Sequence, residues 1–404
     1  MLARAAQSRL TYLDRDPAAN FAYSKTQPGT IVVTSARMFL SLMFAIGTAM
    51  SCAAQEWPRL WSSYATAFMD DQVRVIDRTD RDRTTSEGQA YALFFALVAN
   101  DRERFDRLLA WTERNLASGD LSAHLPAWLW GRSQNNQWGV LDGNPASDAD
   151  VWMAYTLLEA GAAWNEPRYT AVGASLAQRI VEKEIVRMPS LGPVLLPGPT
   201  GFQKDESVRL NTSYLPLQIF IGLGQLHPEG PWAEIAERIP DLVRASAPRG
   251  FATDWVDLLV AGGFKPSPVG SYDAIRVYLW AGMLDPSTPG RNAVLDALTG
   301  MAQQLRAQGA PPAKISAEGV VSDPKGPVGF QAALLPYLAA IGETKLEREQ
   351  AASVRSELDE KTGLYGRPAT YYDQNLMLFA LGFSERHFWF DARGRLRTRW
   401  SDER

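Results

Sequence analysis

Six segments of this chain are apolar on nearly every face, and each alternates with a segment that is apolar along one face only. The first kind comprises 87–99, 149–163, 212–226, 273–284, 329–341 and 371–382. The second comprises 61–75, 101–117, 168–186, 231–246, 290–308 and 345–359, with charged outer faces. Both kinds carry the period of a helix, and there is almost no period-2 alternation between them. A helix without a polar face has to be surrounded by protein, whereas an amphipathic helix buries one stripe and shows the rest to water. Successive apolar helices recur at roughly sixty residues, the mark of a repeated helical hairpin. The pattern predicts an all-α fold in which an inner ring of buried helices is wrapped by an outer ring of amphipathic ones. The competing arrangement is an open stack of helix pairs. That stack needs polar end caps, which the sequence does not show.

In a closed ring of this kind the inner helices all run the same way, so their N-termini meet at one rim. Reactive groups should then sit at helix starts. Ser86 with Gln89 three residues on predicts a capping box, which puts Glu87 in the first turn beside Gly88, a residue that leaves room for a close approach. Ser147-Asp148-Ala149-Asp150 opens the second inner helix and Ser271-Tyr272-Asp273 the fourth. Glu87, Asp148 and Asp273 thus hold equivalent places on three members of one ring. The plainer account is three unrelated carboxylates, each favoured by its own helix dipole. The loops favour a common site, because Trp128, Trp130, Trp138 and Tyr272 put aromatic rings beside the carboxylates.

Carboxylates lined by aromatic rings suit glycoside hydrolysis, in which one carboxyl protonates the leaving oxygen and another, ionised, activates water or attacks carbon. A helix N-terminus by itself favours the charged form of Glu87, the wrong direction for an acid. Burial and a neighbouring carboxylate, with Asp148 the obvious one, have to reverse that. Asp273 has Arg276 three residues on, close on the same helix surface, which favours its ionised form. Glu87 as acid and Asp273 as base is the better assignment.

Other chemistries find little support. The chain has 46% hydrophobic and 21% charged residues, the balance of a soluble globular protein. A net charge of -4 gives no reason to expect nucleic acid or an anionic membrane as partner. Three scattered histidines (His124, His227, His387) and the lone Cys52 assemble no metal site, and no cofactor is expected. Residues 1–37 read as a non-native or disordered extension. Arg37, the short apolar run after Met38 and the small residues to Ala54 read as a signal peptide of residues 38–54, too short to span a membrane. Cleavage near Ala53 or Ala54 would release a periplasmic or secreted chain with no membrane span, leaving 55–404 as one catalytic domain. The arginine-rich stretch 395–404 reads as a loosely held tail.

Ala146-Ser-Asp-Ala-Asp-Val-Trp-Met-Ala-Tyr-Thr-Leu-Leu-Glu-Ala-Gly-Ala-Ala-Trp164 resembles the signature of glycoside hydrolase family 8. Thr84-Thr-Ser-Glu-Gly-Gln89, Leu125-Pro-Ala-Trp-Leu-Trp-Gly131, Ser271-Tyr-Asp-Ala-Ile-Arg-Val-Tyr-Leu-Trp280 and Gly326-Pro-Val-Gly-Phe330 are similar to the branch of that family encoded with bacterial cellulose synthase. Thr156 departs from the signature, which usually has Ser or Ala there. The resemblance implies an (α/α)6 barrel and an inverting endo-1,4-β-glucanase acting on a β-1,4-glucan chain, with cellulose synthase export components as possible partners. It implies Glu87 as general acid, Asp273 as general base, and Asp148 as the residue that holds the sugar or water at the cleavage point. Trp128, Trp130, Tyr214, Tyr272 and Arg276 would contact substrate. It carries no role onto Tyr371 to Asn375. Family relatives cutting xylan, chitosan or mixed-linkage glucan stay open as alternatives, as does a non-catalytic glucan-binding protein.

Overall fold

The computed structural model describes residues 56–189 and 191–402. The expected extension and signal peptide lie outside the described residues. Among the described residues the chain forms fourteen α-helices joined by short strands. The inner helices are α2 (Ser86–Val98), α4 (Ser147–Trp164), α6 (Leu217–Leu226), α8 (Ala274–Gly282), α11 (Val328–Ala340) and α13 (Tyr371–Ser384). The outer layer holds α1 (Glu56–Phe68), α3 (Arg102–Leu116), α5 (Pro167–Lys183), α7 (Trp232–Ser246), α9 (Arg291–Asp296), α10 (Gly300–Gln308) and α12 (Thr344–Ser356), and α14 (Arg399–Asp402) ends the chain.

The ring closes. Each inner helix packs on the next, α2 on α4, α4 on α6, α6 on α8, α8 on α11 and α11 on α13, and α13 returns to α2. The first five inner helices each also pack on the outer helix that follows in sequence, and α13 packs on α1 from the start of the chain. This is the (α/α)6 barrel, and it excludes the open stack, whose first and last inner helices would not touch. Links of two to eight residues, the shortest Asn165–Glu166 between α4 and α5, turn the chain from inner to outer helix. The longer loops lead back to the inner N-termini.

The barrel axis is filled by rings from four inner helices. Trp152 of α4 lies 5.1 Å from Phe379 of α13, 5.1 Å from Phe94 of α2 and 5.2 Å from Trp280 of α8. Such aromatic pairs contribute about 0.5–1.5 kcal/mol each beyond their buried area. Where inner helices α8 and α11 meet, Gly282 lets the backbones touch. A Cβ there would fall 2.2 Å from the Tyr337 nitrogen.

Several boundaries differ from those expected. The third inner helix starts at Leu217, because Pro216 disfavours helical geometry in Leu215; Thr212–Tyr214 forms only a 3-10 turn. The first outer helix ends at Phe68 and not near 75. Asp70 Oδ1 accepts from the backbone of Gln72 and Arg74, and Val73 takes a positive φ of 66°. The fifth outer segment, 290–308, breaks into α9 and α10. Short strands, unseen as alternation because most have only two to four residues, line the loops before the inner helices. Among them β1 (Thr84–Thr85), β2 (Ala127–Arg132) and β3 (Trp138–Pro145) form one antiparallel sheet, with Thr85 opposite Leu129.

The C-terminal stretch is not a loose tail. Phe388–Phe390 pairs with Leu396–Thr398 in a hairpin at the far end of the barrel. Its turn accepts a hydrogen bond from Tyr155 Oη to the Gly394 carbonyl at 2.7 Å. Arg395 reaches the buried Glu159 of α4, and the Trp400 indole donates to the Leu97 carbonyl at 3.1 Å.

Candidate active site

At the N-terminal rim, Thr85 rather than Ser86 caps α2, because pairing with β2 holds Thr85 extended (φ -107°, ψ 152°). Its Oγ1 accepts from the Gly88 N–H at 3.1 Å. The cap therefore lies one residue earlier than expected, and the Ser86–Gln89 box does not form. Gln89 instead accepts from Val75 N–H at 2.7 Å and donates to Thr112 of α3 at 3.1 Å, tying the inner helix to its surroundings. The space beside Gly88 is taken by Val75 and Tyr371, not left for a ligand. Glu87 is half-buried with Ser86 Oγ 3.4 Å away.

Asp148 lies in the first turn of α4, which starts after Ala146 with no side-chain cap. It is 1% exposed, and its Oδ1 accepts from Ala149 N–H at 2.9 Å. Asp273 precedes α8. The cap there comes from Asp254, whose carboxylate accepts from Ser271 N–H, Ser271 Oγ and Ala274 N–H at 2.7–3.0 Å. This substitution of one carboxylate for another leaves Asp273 free to face the rim.

Arg276 joins these groups. Its guanidinium lies 2.8 Å from Asp273 Oδ1 and 3.5 Å from Asp148 Oδ2. It also donates to Ser213 Oγ at 2.9 Å and Tyr372 Oη at 3.2 Å. Ser213 Oγ in turn donates to Asn211 Oδ1 at 2.8 Å, which fixes its lone pairs toward the arginine. The Tyr214 ring stands 5.8 Å from the Arg276 guanidinium. Arg276 is 6% exposed, so an always-charged group with this many partners holds three helix starts in one register.

The electrostatics follow from burial. Loss of hydration raises the Glu87 carboxyl above its ordinary value, and the Asp273 charge adds to this; the Glu87 backbone N–H, Arg276 and Thr85 oppose it. Loss of hydration, and then the Glu87 charge, push Asp148 well above the usual carboxylate range. The helix dipole does not win at Glu87 because desolvation is the larger effect.

Two depressions are lined by residues next to those of the cluster, and Glu87, Asp148 and Asp273 line neither of them. One depression of about 790 Å³ is lined by Tyr272, Pro327, Arg367, Tyr371 and Tyr372. Another, of about 710 Å³, is lined by Arg83, Trp128, Arg132, Trp138 and Asp142. Tyr272 is 48% exposed and meets Phe330 edge-on at 5.0 Å. Trp128 is half-buried and its indole N–H bonds to Asp142, holding that carboxyl below its ordinary value. Trp130 stacks on Trp138 at 5.0 Å, with Arg74 within about 5 Å of both rings.

The structure thus brings Glu87, Asp148, Asp273, Arg276, Tyr214 and Tyr272 together, with Trp128 and Trp130 in the hairpin beside them. Sequence reasoning missed Ser213, Asp254, Tyr371 and Tyr372. The pair Tyr371-Tyr372 opening the sixth inner helix was the available signal; nothing marked Ser213 or Asp254.

The family model "Glycosyl hydrolases family 8" matches residues 31–386. An endoglucanase of Xanthomonas axonopodis pv. citri (strain 306) is 44% identical over 365 residues, covering 89% of this chain and 94% of that protein. An endoglucanase of Escherichia coli (strain K12) is 40% identical over 380 residues, covering 92% and 98%. The crystal structure of an endo-1,4-D-glucanase from Vibrio fischeri ES114 superposes with a TM-score of 0.79 at 40% identity, covering 84% of this chain and 99% of that one. With a family match over most of a chain whose closed barrel carries its carboxylates at one rim, the chain belongs to family 8 of the glycosyl hydrolases.

Proposed function

We propose that the protein is an inverting endo-1,4-β-glucanase that cuts β-1,4-glucan chains. The observation that carries this reading is the single guanidinium of Arg276 facing both Asp148 and Asp273, with Glu87 beside them. Glu87, its proton retained by burial, gives that proton to the glycosidic oxygen as the C1–O bond breaks. Asp273 takes a proton from the water that attacks C1 from the opposite face, and Asp148 holds the sugar or that water. Trp128, Trp130, Tyr214 and Tyr272 supply ring surface for the pyranose units. Inversion calls for carboxyls roughly 6.5–9.5 Å apart, so that water fits between sugar and base.

The resemblance to the branch encoded with cellulose synthase supports a periplasmic or secreted enzyme acting during cellulose export. Among the described residues no helix is long and apolar enough to cross a membrane. A substrate panel tests the specificity. Reducing ends should appear from carboxymethylcellulose and cello-oligosaccharides, with xylan and chitosan at least about tenfold slower, a discrimination of roughly 1.4 kcal/mol in the transition state. Faster release from xylan or chitosan would assign the site to another polymer.

A further inference from the structure

The general base is held by very little. Among the described residues the Asp273 carboxylate takes one hydrogen bond, from Arg276 Nη2 at 2.8 Å, and it makes no cap to its own helix. Where that carboxylate points is therefore set by the plane of the Arg276 guanidinium. Arg276 Nε has no partner among the described residues, so the plane is fixed by its two outer nitrogens. Nη2 donates to Ser213 and Asp273. Nη1 donates to Tyr372 Oη at 3.2 Å, with the Tyr272 carbonyl farther off at 3.4 Å. Arginine offers no acceptor, so the Tyr372 oxygen accepts there, and its single hydrogen goes to the Tyr272 carbonyl. Loss of hydration pushes the Tyr372 hydroxyl up to about 12, so that hydrogen is present at neutral pH. Tyr272 is the residue directly before the base.

We propose that Tyr372 is a positioning residue for the general base: its hydroxyl holds the Arg276 guanidinium and the peptide ahead of Asp273 in one arrangement, and so aims the Asp273 carboxylate. The role of Asp273 as base rests on the hydrolase reading above. Two further observations support the tether. It crosses the ring, because α11 packs between α13 and α8, so the hydroxyl links helix starts that do not lie side by side. Its own anchor is also fixed. Thr370 Oγ1 accepts from the Asp373 N–H at 3.1 Å, and Asp373 Oδ1 accepts from the Gly329 N–H at 3.2 Å, which pins the start of α13 to that of α11. The Tyr372 ring has a separate part. It leans on Tyr272 with centroids 5.7 Å apart, and both residues line the depression of about 790 Å³. The ring thus supports a surface that sugar can meet, and the oxygen supports the base.

Tyr372→Phe separates the two parts, since it keeps the ring and removes the oxygen. On a cello-oligosaccharide its kcat should fall by about ten- to a hundredfold, the scale on which a misplaced catalytic group acts, while KM stays within about twofold. An unchanged kcat would overturn the proposal. A raised KM with kcat intact would make Tyr372 a sugar ligand and equally defeat it. A general loss of packing also lowers kcat, and a cycle with Asp273→Asn tells the two apart. If the hydroxyl acts through the base, Tyr372→Phe should cost less than about twofold in turnover once the base is gone. Two factors that multiply would contradict the positioning role. The tether itself is read without activity, by nitrogen NMR of arginine-labelled protein. The Arg276 Nη signals, identified by their loss in Arg276→Lys, should be separate in the wild type and averaged in Tyr372→Phe. Averaged signals in the wild type would refute the tether even if the variant folds poorly, and separate signals in a folded Tyr372→Phe would refute it too. If the wild type cleaves no glucan, the hydrolase reading falls, and these spectra still decide whether Tyr372 holds Arg276.

Discussion

Glu87→Gln is expected to lower kcat on soluble β-1,4-glucan by about 10²–10⁴-fold, the usual share of a general acid. The substitution keeps the shape of the side chain and its approach to Ser86, but the amide has no proton of suitable acidity for the leaving oxygen. Asp273→Asn should cost a similar factor for the complementary reason, since an amide cannot accept the proton of the attacking water. Arg276 retains Ser213, Tyr372 and Asp148 as partners in that variant, so the rim should stay assembled. Oligosaccharide affinity should change little in either case, because acid and base act mainly in the transition state. Turnover of a cello-oligosaccharide together with its titration calorimetry checks both halves. A parallel loss of binding would make these residues sugar ligands and not proton carriers.

Arg395→Ala should give the largest loss of stability, about 3 kcal/mol, the lower end for removing one partner of a buried ion pair. Glu159 is 4% exposed in an inner helix and accepts from Arg395 at 2.8 and 3.0 Å, and from the Leu396 N–H at 3.0 Å. Without the guanidinium, the carboxylate is left among apolar helices with one remaining donor. The Arg395 side chain is 32% exposed, so part of the effect is screened by water. The urea midpoint should fall with little change in its slope. Arg397→Ala is the control: its pair with Asp391 lies at the surface, with the arginine 51% exposed, and should contribute little. Equal midpoints for the two variants would return the C-terminal stretch to a loosely held tail.

The barrel was legible because each inner helix lacks a polar face and each outer one has a charged face, a contrast that survives without any knowledge of partners. Glu87, Asp148 and Asp273 were legible for a related reason: a shared direction of the inner helices puts their starts together. What escaped is what depends on contacts across the chain. Asp254 takes over the cap of α8 from a loop about twenty residues upstream. Ser213 orients Arg276 from a 3-10 turn that the proline at 216 creates. The cap of α2 moved from Ser86 to Thr85 because a strand of only two residues fixes the backbone there. Arg395 looked like a surface charge until its partner 236 positions away was known.

The central claim is that acid and base stand on opposite faces of the scissile bond and act through water. Proton NMR of the first product, recorded before mutarotation, tests this most directly. The account predicts that the α-anomer of the new reducing end appears first and the β-anomer grows in only as the two equilibrate. If the β-anomer appears first, the enzyme retains configuration, and one of the three rim carboxylates is a nucleophile and not a base.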